Sequence, residues 1–188
     1  EREANIRGVS VEPCGGAREA RIRATIADEN MESVKLEKVP RIAVYIPPNA
    51  APWDDAVTLA MDYAQIPYDR VWDEEVLRGE LKNYDWLHLH HEDFTGQYGR
   101  FYRSFHNEPW YRENQRKAEE LAKSLGFNKV SQEKLAVVKR IKEYVIGGGF
   151  MFAMCSATDS YDIALAADGV DICAQIYDGD PVDPNAQE

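Results

Sequence analysis

The chain is poor in cysteine, which excludes two classes of small protein. Cys14, Cys155 and Cys173 are widely separated in 188 residues, and no Cys-x-x-Cys pair occurs. A disulfide framework needs more cysteines, and a cysteine-based structural zinc site needs closely spaced pairs. We therefore expect three free thiols and no cofactor.

Long apolar runs and an excess of basic residues are also missing. No apolar stretch approaches the roughly 20 residues that span a bilayer, and Glu1-Arg2-Glu3 lacks the apolar core of a signal peptide. With 22 basic and 33 acidic side chains, the formal net charge is −11, which opposes binding to nucleic-acid backbones and anionic lipid. We expect no nucleic-acid partner and no membrane insertion. The location is unknown at this point, and two alternatives stay open: the cytoplasm or, if a signal has been removed, the periplasm.

What the sequence does contain is an alternation of short apolar runs and helical patterns. Runs typical of β-strands occupy residues 42–46, 68–72, 84–90 and 150–154, and helical patterns occupy 53–65, 74–79, 112–125, 132–146 and 158–167. Ser131 is expected to cap the fourth of these helices, and Gly147 to end it. This order predicts an α/β fold in which a parallel sheet is covered by helices on both faces and binds ligands beyond the carboxyl ends of its strands.

The same patterns divide the chain into three parts. Residues 1–40 predict an N-terminal arm or an edge hairpin, because residues 20–26 alternate in polarity. Residues 41–176 form the α/β domain, and its insertion at 91–130 far exceeds the usual connection of about 2–6 residues, as segments that cap a site do. Residues 177–188 form an acidic tail or a truncated continuation.

Cys155 lies where a strand, a sharp turn and a helix follow one another. The residues after it, Ser156 and Ala157, are small, as a crowded turn requires. Such an elbow exposes a nucleophile and points helix N–H groups at it, which lowers a thiol pKa and stabilises an oxyanion. Asp159 falls in the first turn of the helix, where it either caps free N–H groups or binds substrate. The buried or inert thiol is the competing interpretation. For Cys14 and Cys173, the latter in a predicted strand end, the inert interpretation is favoured.

A second polar constellation ends the third predicted strand. His88 and His90 project to one face of a strand and His91 to the other, so at most two of the three converge on one ion. His90 or His91 is a candidate base for Cys155, and Glu92 and Asp93 are candidate substrate-binding groups. The simpler interpretation has the imidazoles hydrogen-bonded to the insertion, and we predict no metal.

The segment 98–112 interleaves aromatic and arginine side chains. Such a segment lines a carbohydrate or peptide groove, forms the core of a lid, or makes a protein interface, where Tyr, Trp and Arg are enriched. We predict a lid or an interface to a protein partner or a second copy, and a small-molecule or peptide ligand stays open.

A glycine run and a cysteine elbow follow one another in Lys142-Glu143-Tyr144-Val145-Ile146-Gly147-Gly148-Gly149 and Phe150-Met151-Phe152-Ala153-Met154-Cys155-Ser156-Ala157. With this motif, residues 41–171 resemble the class I glutamine amidotransferase-like superfamily. The resemblance implies a flavodoxin-like three-layer fold with Cys155 as nucleophile and the Ser156 N–H as an oxyanion donor. In that family a histidine and a glutamate downstream complete the triad, whereas no histidine follows His106 here. Residues 153–167 also look like a group of bacterial proteins labelled asparagine synthetase B. Because proteins of that group are often exported, this resemblance favours the periplasm as the location.

Two functions follow from these observations. The first is an amidotransferase-like domain that has lost the Cys-His-Glu triad and acts as a binding or assembly module. The second is a thiol-dependent hydrolase or amidotransferase in which Cys155 attacks a carbonyl and His90 or His91 relays the proton. The sequence favours the first narrowly.

Overall fold

The structure is a computed structural model that describes residues 13–29, 39–48, 50, 56–98 and 102–186. The chain divides into two units, residues 1–39 and residues 40–188.

The N-terminal unit contains a helix where the sequence predicted a hairpin. Helix α1 spans Gly16–Asp28 and buries none of its residues. Glu19 and Arg23, one turn apart, form an ion pair at 2.8 Å, which favours the helix. The apparent alternation over residues 20–26 also places Ile22 and Ile26 four residues apart on one helix face. The hairpin prediction is therefore wrong, while the arm stays a prediction.

The second unit is built on a four-stranded parallel sheet with the order β2-β1-β3-β4. The strands are β1 (Ile42–Tyr45), β2 (Asp69–Val71), β3 (Trp86–Leu89) and β4 (Phe150–Ala153). Val44 is aligned with Arg70 on one side and with His88 on the other, and His88 is aligned with Phe152. The predicted α/β fold with a parallel, flavodoxin-like sheet is confirmed.

Helices connect the strands and close the domain after β4. They are α2 (Ala56–Tyr63), α3 (Asp73–Leu77), a 3-10 turn (Glu80–Asn83), α4 (Tyr102–Phe105), α5 (Pro109–Ser124), α6 (Val130–Ile146), α7 (Ser156–Ala166) and α8 (Gln175–Asp178). Within the described ranges, no helix is long and apolar enough to cross a membrane.

The strands bury alternate side chains on the two faces of the sheet, as their period of two requires. One face carries Tyr45, Leu87 and Leu89 against α3, α6 and α7, and the other carries Val44 and Ile46 against α2. Both cores lie between helices and the sheet, which makes three layers.

Two local predictions differ from the structure, and a third segment makes contacts that the sequence did not indicate. Lys129, not Ser131, is the residue that precedes the first turn of α6, because the helix begins two residues earlier than its periodicity indicates. Residues 170–174 form no strand; the Asp171 side chain accepts the Cys173 N–H at 2.8 Å and holds a turn instead. The acidic end of the chain is anchored, because the Lys129 ammonium pairs with Asp178 at 3.0 Å and Asp180 at 2.6 Å.

Candidate functional site

Cys155 lies at a strained turn between β4 and α7. Its backbone has φ 53° and ψ −139°, a combination that an L-residue rarely adopts, and its side chain is exposed. The chain leaves the sheet at Ala153, and α7 begins at Ser156 directly after the thiol. Non-glycine residues in such conformations cost about 1–3 kcal/mol and concentrate at functional sites. The thiol therefore stands at the carboxyl edge of the sheet, before an eleven-residue helix.

The turn after β3 is hydrogen-bonded to this elbow along its whole length. The Met154 N–H donates to the Leu89 carbonyl at 3.2 Å, and the Ser156 hydroxyl donates to the His91 carbonyl at 2.8 Å. The Ser160 hydroxyl donates to the Glu92 carbonyl at 2.7 Å. The structure thus brings together the two polar constellations that the sequence singled out separately.

The histidine rings lie against one another at the edge of the sheet. His88 and His90 are buried at 4% and 5% exposure, and their ring centroids lie 6.4 Å apart, as expected for residues on one strand face. The His91 ring is exposed, and its centroid lies 3.5 Å from that of His90. The strand ends at Leu89, so the turn brings His91 back over His90 instead of sending it to the opposite face. The predicted separation of these two rings is therefore wrong.

The carboxyl groups of the candidate site shape its turn. Glu92 accepts the His90 backbone N–H at 2.7 Å, and Asp93 accepts both the N–H and the hydroxyl of Thr95, at 2.7 and 2.5 Å. Both carboxylates are half-buried, whereas Asp159 is exposed on the first turns of α7. Cys155, whose side chain makes no capping hydrogen bond, occupies the N-cap position of α7. Asp159 lies four residues after it, beyond the N-cap position at which a side chain most often caps a helix.

The outer strand carries large apolar side chains beside the elbow. Phe150 is 57% exposed, Phe152 46% and Met154 37%, all on the face that also bears His88. In the described ranges β4 pairs with β3 alone, so its other edge presents unpaired backbone groups. No charge interrupts this strand, so the edge favours contact with another chain.

Only one group of acidic or histidine side chains within the described ranges brings three potential metal ligands together. Asp171, Asp178 and Asp180 have ligand atoms within 4.8 Å of one another. The Lys129 ammonium lies among them at 2.6–3.0 Å. These ion pairs lower the pKa of Asp180 and raise that of Lys129. The ammonium occupies the space between the three carboxylates and offsets part of their charge, so this cluster is an internal salt-bridge network.

A buried polar cluster lies at the carboxyl ends of β1 and β2 and was missed by the sequence analysis. It comprises Tyr45, Asp73, Glu133 and Lys134, each at most 7% exposed. The Lys134 ammonium pairs with Asp73 at 2.5 Å and donates to the Tyr45 hydroxyl at 3.1 Å, and that hydroxyl donates to Asp73. The signal was available, because Lys134 falls on the apolar face of α6 with Val137, Val138 and Ile141.

The insertion packs on the end of the chain through tyrosines. The Tyr102 ring lies 4.8 Å from that of Tyr177, and the Tyr111 hydroxyl donates to the Tyr98 carbonyl at 3.0 Å. Burial raises the pKa of Tyr111 to about 12. Buried Cys173 lies under the same segment, and burial raises its pKa to about 12 as well. Tyr111 is buried and the other three tyrosines are half-buried, which fits the predicted lid core better than an open groove.

The comparisons with known proteins do not place the chain. No protein-family model matches it, and neither a curated protein nor a solved structure matches it. The resemblance to class I glutamine amidotransferases therefore stays a prediction carried by the motif around Cys155.

Proposed function

We propose that the domain is a thiol-dependent acyl-transfer enzyme, a hydrolase or amidotransferase, with Cys155 as its nucleophile. One observation carries the proposal: an exposed thiol is kept at φ 53° and ψ −139° on a tight turn that glycine would occupy without strain. Backbone strain of this kind concentrates at functional sites. Hydrogen bonds from the elbow to the turn after β3 hold the turn that bears the thiol next to the turn that bears His90 and His91.

The chemistry that this arrangement supports is a two-step acyl transfer. His90 or His91 takes the thiol proton, and the Cys155 sulfur forms a bond to the substrate carbonyl carbon. The Ser156 N–H at the start of α7 faces the developing oxyanion. The bond to the leaving amine or alcohol breaks, and that group takes the proton. Water then cleaves the thioester and returns the thiol.

Reaction with p-nitrophenyl acetate, read by intact and peptide mass spectrometry, tests the proposal. An acetyl adduct should form on Cys155 at least about tenfold faster than on exposed Cys14, since an activated thiol reacts faster than an ordinary one. Buried Cys173 should stay unmodified until the protein is unfolded. Cys155→Ala should abolish the fast phase and Cys14→Ala should not. Equal rates at Cys155 and Cys14 would refute the nucleophile.

A non-catalytic binding or assembly module is the second candidate, and the exposed apolar edge of β4 favours it. Phe150 and Phe152 stand on an uncharged outer strand, where a protein partner or a second copy would bury them. His90, in addition, is 5% exposed, which suits a structural ring as well as a base. The acetylation experiment separates the two candidates, because the module predicts no preference for Cys155 over Cys14.

A further inference from the structure

The buried cluster between α3 and α6 contains more acidic than basic groups. Asp73 and Glu133 are each 1% exposed, Lys134 is 7% exposed, and the Tyr45 side chain is fully buried. Asp73 begins α3, while Glu133 and Lys134 lie in the first turns of α6. Two carboxyl groups thus face a single ammonium in a site from which water is excluded.

The ammonium is fully used by partners other than Glu133. Its three donor directions meet the Asp73 carboxylate at 2.5 Å, the Tyr45 hydroxyl at 3.1 Å and the face of the Trp72 ring, whose centroid is 4.2 Å away. Glu133 Oε1, by contrast, has no hydrogen-bond partner within the described part of the chain. A buried, charged carboxylate without a hydrogen-bond partner is unfavourable, whereas the neutral carboxylic acid avoids the cost of burying a charge.

The other charged groups around the cluster act in the same direction. Asp73 adds negative charge beside Glu133 and accepts a hydrogen bond from its protonated form. Tyr45, on β1, stays neutral, because burial and the charge of Asp73 raise its pKa well above the ordinary value. Glu92, in the turn after β3, adds further negative charge facing Tyr45. With Glu133 neutral, Asp73 and Lys134 cancel, and the cluster carries no net charge.

We propose that Glu133 and Asp73 share one proton that fastens α6 to α3, and that the stability gained from this proton falls steadily as the solution changes from mildly acidic to mildly alkaline. The inference is independent of any chemistry at Cys155. Burial is the main cause that raises the pKa of Glu133, to about 8, with Asp73 adding to the rise and Lys134 opposing it.

The direction of the pH effect follows from proton linkage. The folded protein holds the proton up to a pH of about 8, whereas the unfolded chain releases it near the ordinary value of 4.5. Folding therefore binds a proton in this interval, and stability falls as the pH rises through it. Above the folded pKa the native state releases the proton too, and this contribution stops changing.

Urea unfolding of the wild type and of Glu133→Gln between about pH 5.5 and pH 7.5 tests the proposal. For one linked proton, the unfolding constant of the wild type relative to the variant should rise about tenfold per pH unit. Glu143→Gln is the matched control, because this glutamate lies on the same helix with a side chain that is 64% exposed. Its ratio to the wild type should stay nearly constant. A constant ratio for Glu133→Gln would overturn the proposal.

A direct titration covers the case in which Glu133→Gln does not fold. In wild-type protein labelled at glutamate side chains, one carboxyl carbon resonance should titrate with a midpoint near 8. Asp73→Asn should lower that midpoint, because it removes the neighbouring charge and frees Lys134 for Glu133. The absence of any glutamate with a midpoint above about 6 in the native wild type would overturn the proposal.

Discussion

Replacement of Cys155 by glycine should stabilise the protein relative to replacement by alanine, the reverse of the usual order. At φ 53° a Cβ atom crowds the following carbonyl, which costs about 1–2 kcal/mol for any residue except glycine. In ordinary positions glycine is instead about 0.5–1 kcal/mol less favourable than alanine, because its unfolded chain has more freedom. Both variants remove the thiol, so the comparison isolates the backbone conformation.

Asp159 supplies the reference for the entropic part of this comparison. It is exposed on α7, four residues after Cys155, in regular helix. There Asp159→Gly should be about 1 kcal/mol less stable than Asp159→Ala. The difference in unfolding free energy between the Gly and Ala variants is measured at both positions. The value at Cys155 minus the value at Asp159 is the backbone strain at Cys155, for which we expect about 1–2 kcal/mol.

Thermal unfolding of the four variants measures this difference. For a chain of this size, 1–2 kcal/mol corresponds to about 2–8 °C in the midpoint. If Cys155→Gly were less stable than Cys155→Ala by the same amount as at Asp159, the turn would hold no strain. The proposal that Cys155 is the nucleophile would then lose the observation on which it rests.

Two further predictions concern the packing of α6. Lys134→Met should lower the free energy of unfolding in urea by about 3–5 kcal/mol, because it leaves Asp73 buried without its cation. Lys139→Met should lower it by less than about 1 kcal/mol, because the 2.8 Å ion pair of Lys139 with Asp168 is exposed. Similar costs for the two would show that the buried pair is dispensable. Gly96→Ala should destabilise the protein by about 1–3 kcal/mol more than Gly126→Ala. Both glycines have positive φ, but only at Gly96 would an added Cβ lie 2.7 Å from Ser131. Equal thermal midpoints for these two variants would contradict the close approach.

The strands and the long helices of the domain could be predicted from the sequence because their signals are local. The run at 42–46 is fully buried and the stripe on α6 is periodic, so hydrophobic pattern alone defines them. Helix α1 was mistaken for a hairpin, since alternating residues such as Ile22 and Ile26 satisfy both periods over a short stretch. Cys173 was assigned to a strand end because an apolar run does not reveal that an Asp171 side chain will turn the chain.

The candidate site was predicted in part for the same reason. Cys155 and the turn at His90 each follow a strand, and parallel strands end at one edge, so their proximity could be inferred from order alone. The contact of the His91 ring with the His90 ring depends on where β3 ends, and the hydrophobic pattern does not specify that end to one residue. The cluster around Lys134 joins residues 45, 73 and 134. The position of Lys134 on the apolar face of α6 marks one member, but the sequence does not reveal partners so far apart in the chain.

The uncharged outer strand has a consequence for how this acidic molecule behaves in concentrated solution. Copies with a net charge of −11 repel one another over most of their surface, and β4 is a strip on which that repulsion has no local source. Added salt shortens the range of the repulsion to about 8 Å at physiological ionic strength but leaves the attraction between phenylalanine side chains intact. The ionic strength of the buffer therefore controls how closely the β4 strands of two molecules approach each other, and storage at low ionic strength keeps the molecules apart.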